Sequence, residues 1–254
     1  MDKVTAIIPM YNRVELTLRA IGSVLGQTYP SIETIVVDDG SEENTKRIAD
    51  LVHSIDKGRM LVCHQVHRGP ASARNTGLEM VTPDTRYIAF LDSDDYWAAN
   101  KIQQQVAAMG KHLEAVLCHT SYLREVGGAI INLSHAGAFE GKVFPKLLFN
   151  CPITTSSVML RRDKMRKFRF RTDMECVEDI VAWTEISKLG PVVGIDDVLT
   201  TITQNENSGS TNKAKQIRGI NNLIEYIKGD CDIGWITRFR LLRHWDRIRR
   251  VDEH

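Results

Sequence analysis

Residues 91–95 read Leu-Asp-Ser-Asp-Asp and follow the apolar run Tyr87–Phe90. A run of this kind, bounded by a polar cluster, reads as a core strand ending at the surface. Asp92, Asp94 and Asp95 therefore crowd its exit. Carboxylates that close repel unless positive charge separates them. A hard divalent cation carrying phosphate oxygens meets that need. Asp38-Asp39 ends an earlier apolar run, Glu33–Val37, and Glu178-Asp179 forms a third acidic step much later. Acid clusters at strand ends point to a metal–nucleotide site on an α/β sheet.

Such a site needs strands and helices to hold it. Val4–Ile8 reads as a first strand, followed by a helix over Arg13–Gln27 with Val14, Leu18, Ile21 and Leu25 on one face. Glu33–Val37 is the second strand. Ser41 can cap a helix whose inner face is Ile48, Leu51, Val52 and Ile55. Met60–Val66 is a third strand, and Gly69-Pro70 starts a helix to about Met80. Tyr87–Leu91 is the fourth strand, Asn100–Met109 a helix and Ala115–Ser121 a strand. This alternation predicts an α/β fold with a mostly parallel central sheet flanked by helices. Ligands of such sheets lie outside the carboxyl ends of the strands, where the acids are. Beyond residue 122 the pattern loosens. A strand at Ser156–Leu160, a helix at Asp179–Leu189, short strands at Val192–Ile195 and Val198–Ile202, and two closing helices, Lys215–Ile227 and Gly234–Arg250, are expected. The expected organisation is one domain over 1–212, divided into a half that carries the strand-end acids Asp38, Asp39, Asp92 and Asp94 (1–121) and a second half (122–212). A basic helical extension, 213–254, follows.

Composition removes several function classes. The 254 residues are 43% hydrophobic and 26% charged, as in ordinary globular proteins. A net charge of +1 gives no support to nucleic-acid binding. No apolar stretch approaches the roughly 20 residues that span a bilayer. The N-terminus runs straight into a strand, without the features of a signal peptide. Five scattered cysteines at 63, 118, 151, 176 and 231 form no CxxC spacing, so neither a disulfide framework nor a zinc site is indicated. A reducing, cytoplasmic location is expected. No GxGxxG follows the first strand, which argues against a dinucleotide oxidoreductase. Pro9-Met10-Tyr11-Asn12-Arg13 is not the Gly-rich triphosphate loop of a nucleotidyltransferase.

The order of the motifs is the specific signal. Ile7-Ile8-Pro9-Met10-Tyr11-Asn12, Val37-Asp38-Asp39-Gly40-Ser41, Gly69 through Gly77, Phe90 through Asp95 and Glu178-Asp179 occur in series. This series resembles the family 2 inverting glycosyltransferases of the GT-A fold, over roughly residues 3–205. The resemblance implies that Pro9, Tyr11, Asn12, Arg13, Asp38 and Asp39 line a nucleoside pocket. Asp92-Ser93-Asp94 is similar to the family's DxD motif. Asp94 would then bind Mn²⁺ or Mg²⁺, and Asp92 would hold a ribose or a metal-bound water. Asp95 reads as a cap for the next helix. Asp179 would be the general base that deprotonates an acceptor hydroxyl, with Glu178 beside it. Arg74 could reach donor phosphates or buttress Asp38 or Asp92. Trp97 could stack on a sugar, and Trp183 could line the acceptor site; core packing is the competing role for both. Each acidic motif also has a plainer reading, as a turn, a solvated loop or a helix N-terminus favoured by the dipole.

The implied activity is transfer of a hexose from a nucleotide-diphosphate donor, a uridine one by resemblance, to a glycan or lipid-linked hydroxyl in surface-polysaccharide synthesis. A non-catalytic scaffold that binds nucleotide sugar or glycan is the alternative. One departure stands out. Thr201 through Ser208 keeps Asn207-Ser208 but lacks the basic residue many relatives carry there, a role Lys213 or Lys215 could take. The tail, 235–250, places Arg240, Arg243, Arg247 and Arg250 on one helical face, with Trp235, Phe239, Leu241, Leu242, Trp245 and Ile248 on the other. Such a helix suits the inner face of an anionic membrane, its own domain, or a second subunit in a homo-oligomer.

Overall fold

The computed structural model describes residues 1–42, 48, 59–165, 167–174, 176–204 and 213–252. Apart from Ile48, the helix expected after Ser41 lies outside the described residues, as do Asn207 and Ser208. The strands are β1 (Lys3–Met10), β2 (Ile32–Asp38), β3 (Met60–His64), β4 (Thr85–Phe90), β5 (Tyr96–Trp97), β6 (Leu117–Val126), β7 (Ala129–Leu133), β8 (Met159–Arg161) and β9 (Val192–Gln204). The helices are α1 (Val14–Leu25), α2 (Pro70–Met80), α3 (Lys101–Lys111), α4 (Glu178–Ser187), α5 (Lys213–Gly229) and α6 (Trp235–Asp252).

One sheet runs through the chain in the order β3-β2-β1-β4-β8-β6-β9-β5, with β7 on β6. The half built from β3, β2, β1 and β4 is parallel, as the strand–helix alternation requires. Beyond β4 the sheet is mixed. β8 runs antiparallel to both β4 and β6, whereas β6 and β9 are parallel. The parallel half reads as near-continuous apolar sequence because helices cover both faces: Val4, Ala6, Ile7, Ile8, Val36 and Phe90 are fully buried. Gly77 lets α2 lie close to β1, since a Cβ there would come 2.5 Å from Ile7 Cγ2.

Three expected elements differ in detail. The two short strands at 192–202 are one strand, β9, broken by register shifts. Its pairing with β6 jumps from Ile195 to Val198, and in the gap Asp196 accepts a hydrogen bond from Gly137 N at 2.8 Å. Ser156 belongs to a 3₁₀ turn rather than to β8. The closing helix is sided differently from its helical-wheel reading. Leu241 is fully buried, with Leu242 and Trp245 packed beside it in a cluster with Leu148, Val177 and Val181. Trp235 and Phe239 instead face solvent with the arginines. Among the described residues, no helix is long and apolar enough to cross a membrane.

Candidate active site

The chemistry-bearing residues gather at the carboxyl ends of β1, β2 and β4, where α4 also begins. The ends of β1 and β2 are tied to each other. Asp39 N donates to Met10 O at 2.9 Å, Asn12 N to Ser41 Oγ at 2.9 Å, and Glu42 N to Asn12 Oδ1 at 2.8 Å. Asn12 adopts φ 47°, a left-handed conformation that asparagine tolerates better than most residues. Pro9 pairs with Val37, beyond the last residue of β1 that pairs with β4, where its missing N–H disturbs little.

Asp38 and Asp39 are both buried, and protein donors engage both. Asp38 accepts from Ser41 N (3.0 Å), Ser41 Oγ (2.5 Å) and His64 Nδ1 (2.8 Å). Asp39 accepts from Gln65 Nε2 (2.6 Å), Arg68 N (2.9 Å) and Gly69 N (2.7 Å). Asp39 thereby fixes the loop leading into α2. Gly40, at φ 77°, fits beneath that loop; a Cβ would meet His67 N at 2.8 Å. Above the loop, Tyr11 stacks on His67, with ring centroids 4.1 Å apart. Tyr11 is 40% exposed, so this aromatic pair faces solvent. His67 carried no signal in the sequence; only the fold brings it to Tyr11.

The acidic loop after β4 is held from below. Ser156 Oγ donates to Asp95 Oδ2 at 2.5 Å and accepts from Asp92 N at 3.0 Å. Thr203 N donates to Asp95 Oδ1 at 2.9 Å. Asp95 therefore does not cap the next helix: α3 begins at Lys101 behind Asn100. It is a buried bracket between β9 and the 3₁₀ turn. Burial first, then the charges of Asp92 and Asp94, hold its carboxyl well above the usual range.

Trp97 is likewise not a sugar platform. Its ring is buried, its Nε1 donates to Ser156 O at 2.7 Å, and Lys101 Nζ sits 4.1 Å from the ring centroid. Trp183 is fully buried between Phe90 and Phe170, so it packs and does not line the cleft. It lies one turn beyond Asp179, on the side of α4 that enters the core.

Ser93 is buried at the centre of the acidic loop, between Asp92 and Asp94. Asp94 forms an ion pair with Arg13, while Arg19 donates to the Asp94 carbonyl and to Thr203 Oγ1 at 2.9 Å. Burial and the neighbouring Asp92 push the Asp94 carboxyl up, against the pull of Arg13. Arg19 brings positive charge to the end of β9, next to the stretch that lacks a basic residue. Nothing marked it in the sequence except its place on the polar face of α1. Lys213 starts α5 and is exposed.

Arg74 connects the two acidic centres. Its Nη2 donates to Asp92 Oδ1 at 2.7 Å and its Nη1 to Glu178 Oε1 at 3.1 Å. The guanidinium lies over Phe170, 5.4 Å from the ring centroid. Asn75, the next residue, clamps Phe170 by two 2.8 Å bonds, one to its carbonyl and one from its N–H. Arg74 is thus a buttress of Asp92, and its Nε has no partner among the described residues. Asp179 sits beside this bridge at the head of α4. It is half-buried and keeps partial solvent access. Burial, then the charge of Glu178, pushes its carboxyl up to about 7, with Arg74 opposing. Asp92 also raises it, so the acidic loop and α4 share one electrostatic field.

The donor set around Asp92 and Asp94 suits a hard cation. Two half-buried carboxylates stand at one strand end, Asp94 paired with Arg13 and Asp92 with Arg74. Burial with the charge of Asp92 still raises the Asp94 carboxyl, so these oxygen donors fit a hard cation. The arrangement brings an exposed aromatic pair, the carboxylates of the acidic loop and a carboxylate of raised pKa to the carboxyl ends of the strands.

The chain has relatives among known proteins. It is 36% identical over 242 residues to an uncharacterized glycosyltransferase of Rickettsia bellii, covering 94% of this chain and 34% of that protein. The chain thus spans about a third of that relative's length. It is 33% identical over 220 residues to the Escherichia coli UDP-Glc:alpha-D-GlcNAc-diphosphoundecaprenol beta-1,3-glucosyltransferase WfgD, covering 85% of this chain and 82% of that one. The fold superimposes on Staphylococcus aureus TarS 1-349, solved with UDP-GlcNAc, at a TM-score of 0.76 and 17% identity, over 96% of this chain and 71% of that one. The glycosyl transferase family 2 model matches residues 5–169, and the chain belongs to that family.

Proposed function

We propose that this chain transfers a hexose from a uridine-diphosphate donor to a hydroxyl of a lipid-linked glycan, with inversion at the anomeric carbon. The observation that carries the reading is the Arg74 bridge. It holds Asp92 of the acidic loop and Glu178 of α4 on one guanidinium, so donor-side and acceptor-side acids face one cleft. The nucleoside lies against Tyr11 and His67. Arg13 and Arg19 bring positive charge to the diphosphate side. Asp179 accepts the proton of the acceptor hydroxyl, and a carboxylate lifted to about 7 is well matched to that task near neutral pH. One base in direct reach suffices for a single displacement, which inverts configuration. Asp94, with Asp92, would hold Mn²⁺ or Mg²⁺. Such a cation, when bound, neutralises charge developing on the leaving diphosphate. The names of the relatives support both ends of this reading: WfgD carries a UDP-glucose donor and a diphosphoundecaprenol-linked acceptor in its name, and the TarS structure holds UDP-GlcNAc.

The test is a transfer assay with UDP-glucose, UDP-galactose and UDP-GlcNAc against a synthetic GlcNAc-diphospho-lipid, with Mn²⁺ and with chelator. Product anomers are assigned by NMR. A β-linked product made from an α-linked donor, and lost with chelator, is expected. Folded protein that binds no nucleotide sugar with Mn²⁺ would point to the scaffold alternative.

A further inference from the structure

The outer side of α6 divides into two chemically distinct parts. At its start Trp235, Ile236 and Phe239 are 78%, 55% and 58% exposed. Further along the same side Arg240, Arg243 and Arg247 point to solvent. None of these three arginines has a carboxylate partner among the described residues; Asp246 is taken by Arg249 and Arg250. Arg243 lies over the Phe239 ring at 5.6 Å, so the apolar and basic parts are continuous. The inner side is fully committed. Leu241 is buried, and Trp245 Nε1 donates to Leu148 O at 2.7 Å. Packing therefore fixes the rotation of the helix and leaves one stripe outside.

We propose that this stripe docks on an anionic lipid surface, with Trp235, Ile236 and Phe239 inserted among the headgroups and the arginines on lipid phosphates. Large exposed apolar side chains in line with unpaired arginines match the two components of such an interface, apolar burial and charge attraction. A nucleic acid would use the arginines but leave the apolar trio in water. A second copy paired along the whole stripe fits poorly in either orientation, and one paired on the apolar trio alone would leave the arginines without a partner. Over that full length a parallel pairing sets arginines against arginines, and an antiparallel one sets the apolar trio against arginines. The location also suits a lipid-linked acceptor. Leu241 of α6 and Leu223 and Ile227 of α5 share a core cluster with Val177, just before α4, and Val181 on α4, which flank Asp179 in sequence. Membrane contact thus lies one helix layer from the proposed base.

The test is flotation of the whole chain with phosphatidylcholine vesicles, with and without phosphatidylglycerol. It uses no donor sugar, so its outcome is independent of the transferase reading. Wild type is expected to float only with the anionic vesicles and to be released by salt. Each of Arg240→Gln, Arg243→Gln and Arg247→Gln is expected to lower partitioning about fivefold. Phe239→Ser and Trp235→Ser are each expected to lower it about tenfold or more. These side chains are exposed, and circular dichroism checks that each variant folds. Failure of wild type to float with anionic vesicles, or variants that float like wild type, overturns the proposal. Self-association in sedimentation equilibrium that Trp235→Ser abolishes would give the stripe to a second copy and also overturn it.

Discussion

Arg74 and Asp92 are joined by a 2.7 Å ion pair, and the far side of the same guanidinium reaches Glu178 at 3.1 Å. Arg74 is almost wholly buried, so its charge is balanced by these carboxylates rather than by water. Asp179, next in sequence to Glu178, lies in the same field. One buried cation therefore sets the spacing of the acidic loop from α4 and moderates the ionisation of the proposed base.

Replacing Arg74 tests that spacing. Arg74→Met keeps the approximate length of the side chain but leaves the half-buried carboxylates of Asp92 and Glu178 unpaired. A loss of about 3–5 kcal/mol in stability is expected, read by urea denaturation. Arg74→Lys keeps one charge but cannot reach both carboxylates in the fork geometry. It should recover part of the stability and less of the activity. Wild-type stability in Arg74→Met would show that the bridge is not structural.

Asp179→Asn should lower kcat by about 10²–10⁴-fold with little change in donor KM, the signature of a lost general base. The pH dependence has a definite sign. Burial and Glu178 lift the Asp179 carboxyl to about 7, so it is protonated and inactive as a base below that pH. Activity of wild type should rise with pH through about 7 and then level off. Near-wild-type kcat in Asp179→Asn would remove the assignment.

Asp94→Ala removes one of the two carboxylates proposed for the cation and releases Arg13. Calorimetric binding of UDP-sugars should respond to Mn²⁺ in wild type and lose that response in the variant. Chelator should bring wild type to the level of the variant. An unchanged Mn²⁺ response in Asp94→Ala would place the cation elsewhere.

Trp183→Ala separates packing from acceptor binding. The ring is buried between Phe90 and Phe170, so its removal should destabilise the fold by about 3–5 kcal/mol. Below the unfolding transition, acceptor KM should stay close to wild type. A large rise in acceptor KM at unchanged stability would return Trp183 to the cleft.

Local chemistry made residues 1–121 the most legible part of the sequence. Apolar runs, helix-start signals such as Gly69-Pro70 and acids at strand ends each depend on a few neighbouring residues. They placed β1, β2, β4 and α2 to within a few residues. They also brought Asp38, Asp39, Asp92 and Asp94 to one sheet edge, because parallel strands deliver their carboxyl ends together. The second half was harder to read, because the direction of β8 and the bulged course of β9 are set by pairing partners far away in the chain.

The tertiary structure also decided which polar groups were already satisfied. Asp95 became a bracket because Ser156 and Thr203, 61 and 108 residues away, donate to it. Trp97 and Trp183 became core because the surfaces covering them come from other elements. Arg74 was drawn to Asp92 and Glu178, 18 and 104 residues distant. In α6 the sequence determined that the helix is amphipathic and basic. Which side faces outward depended on where Leu241 and Trp245 found a buried surface, which only the packed chain provides.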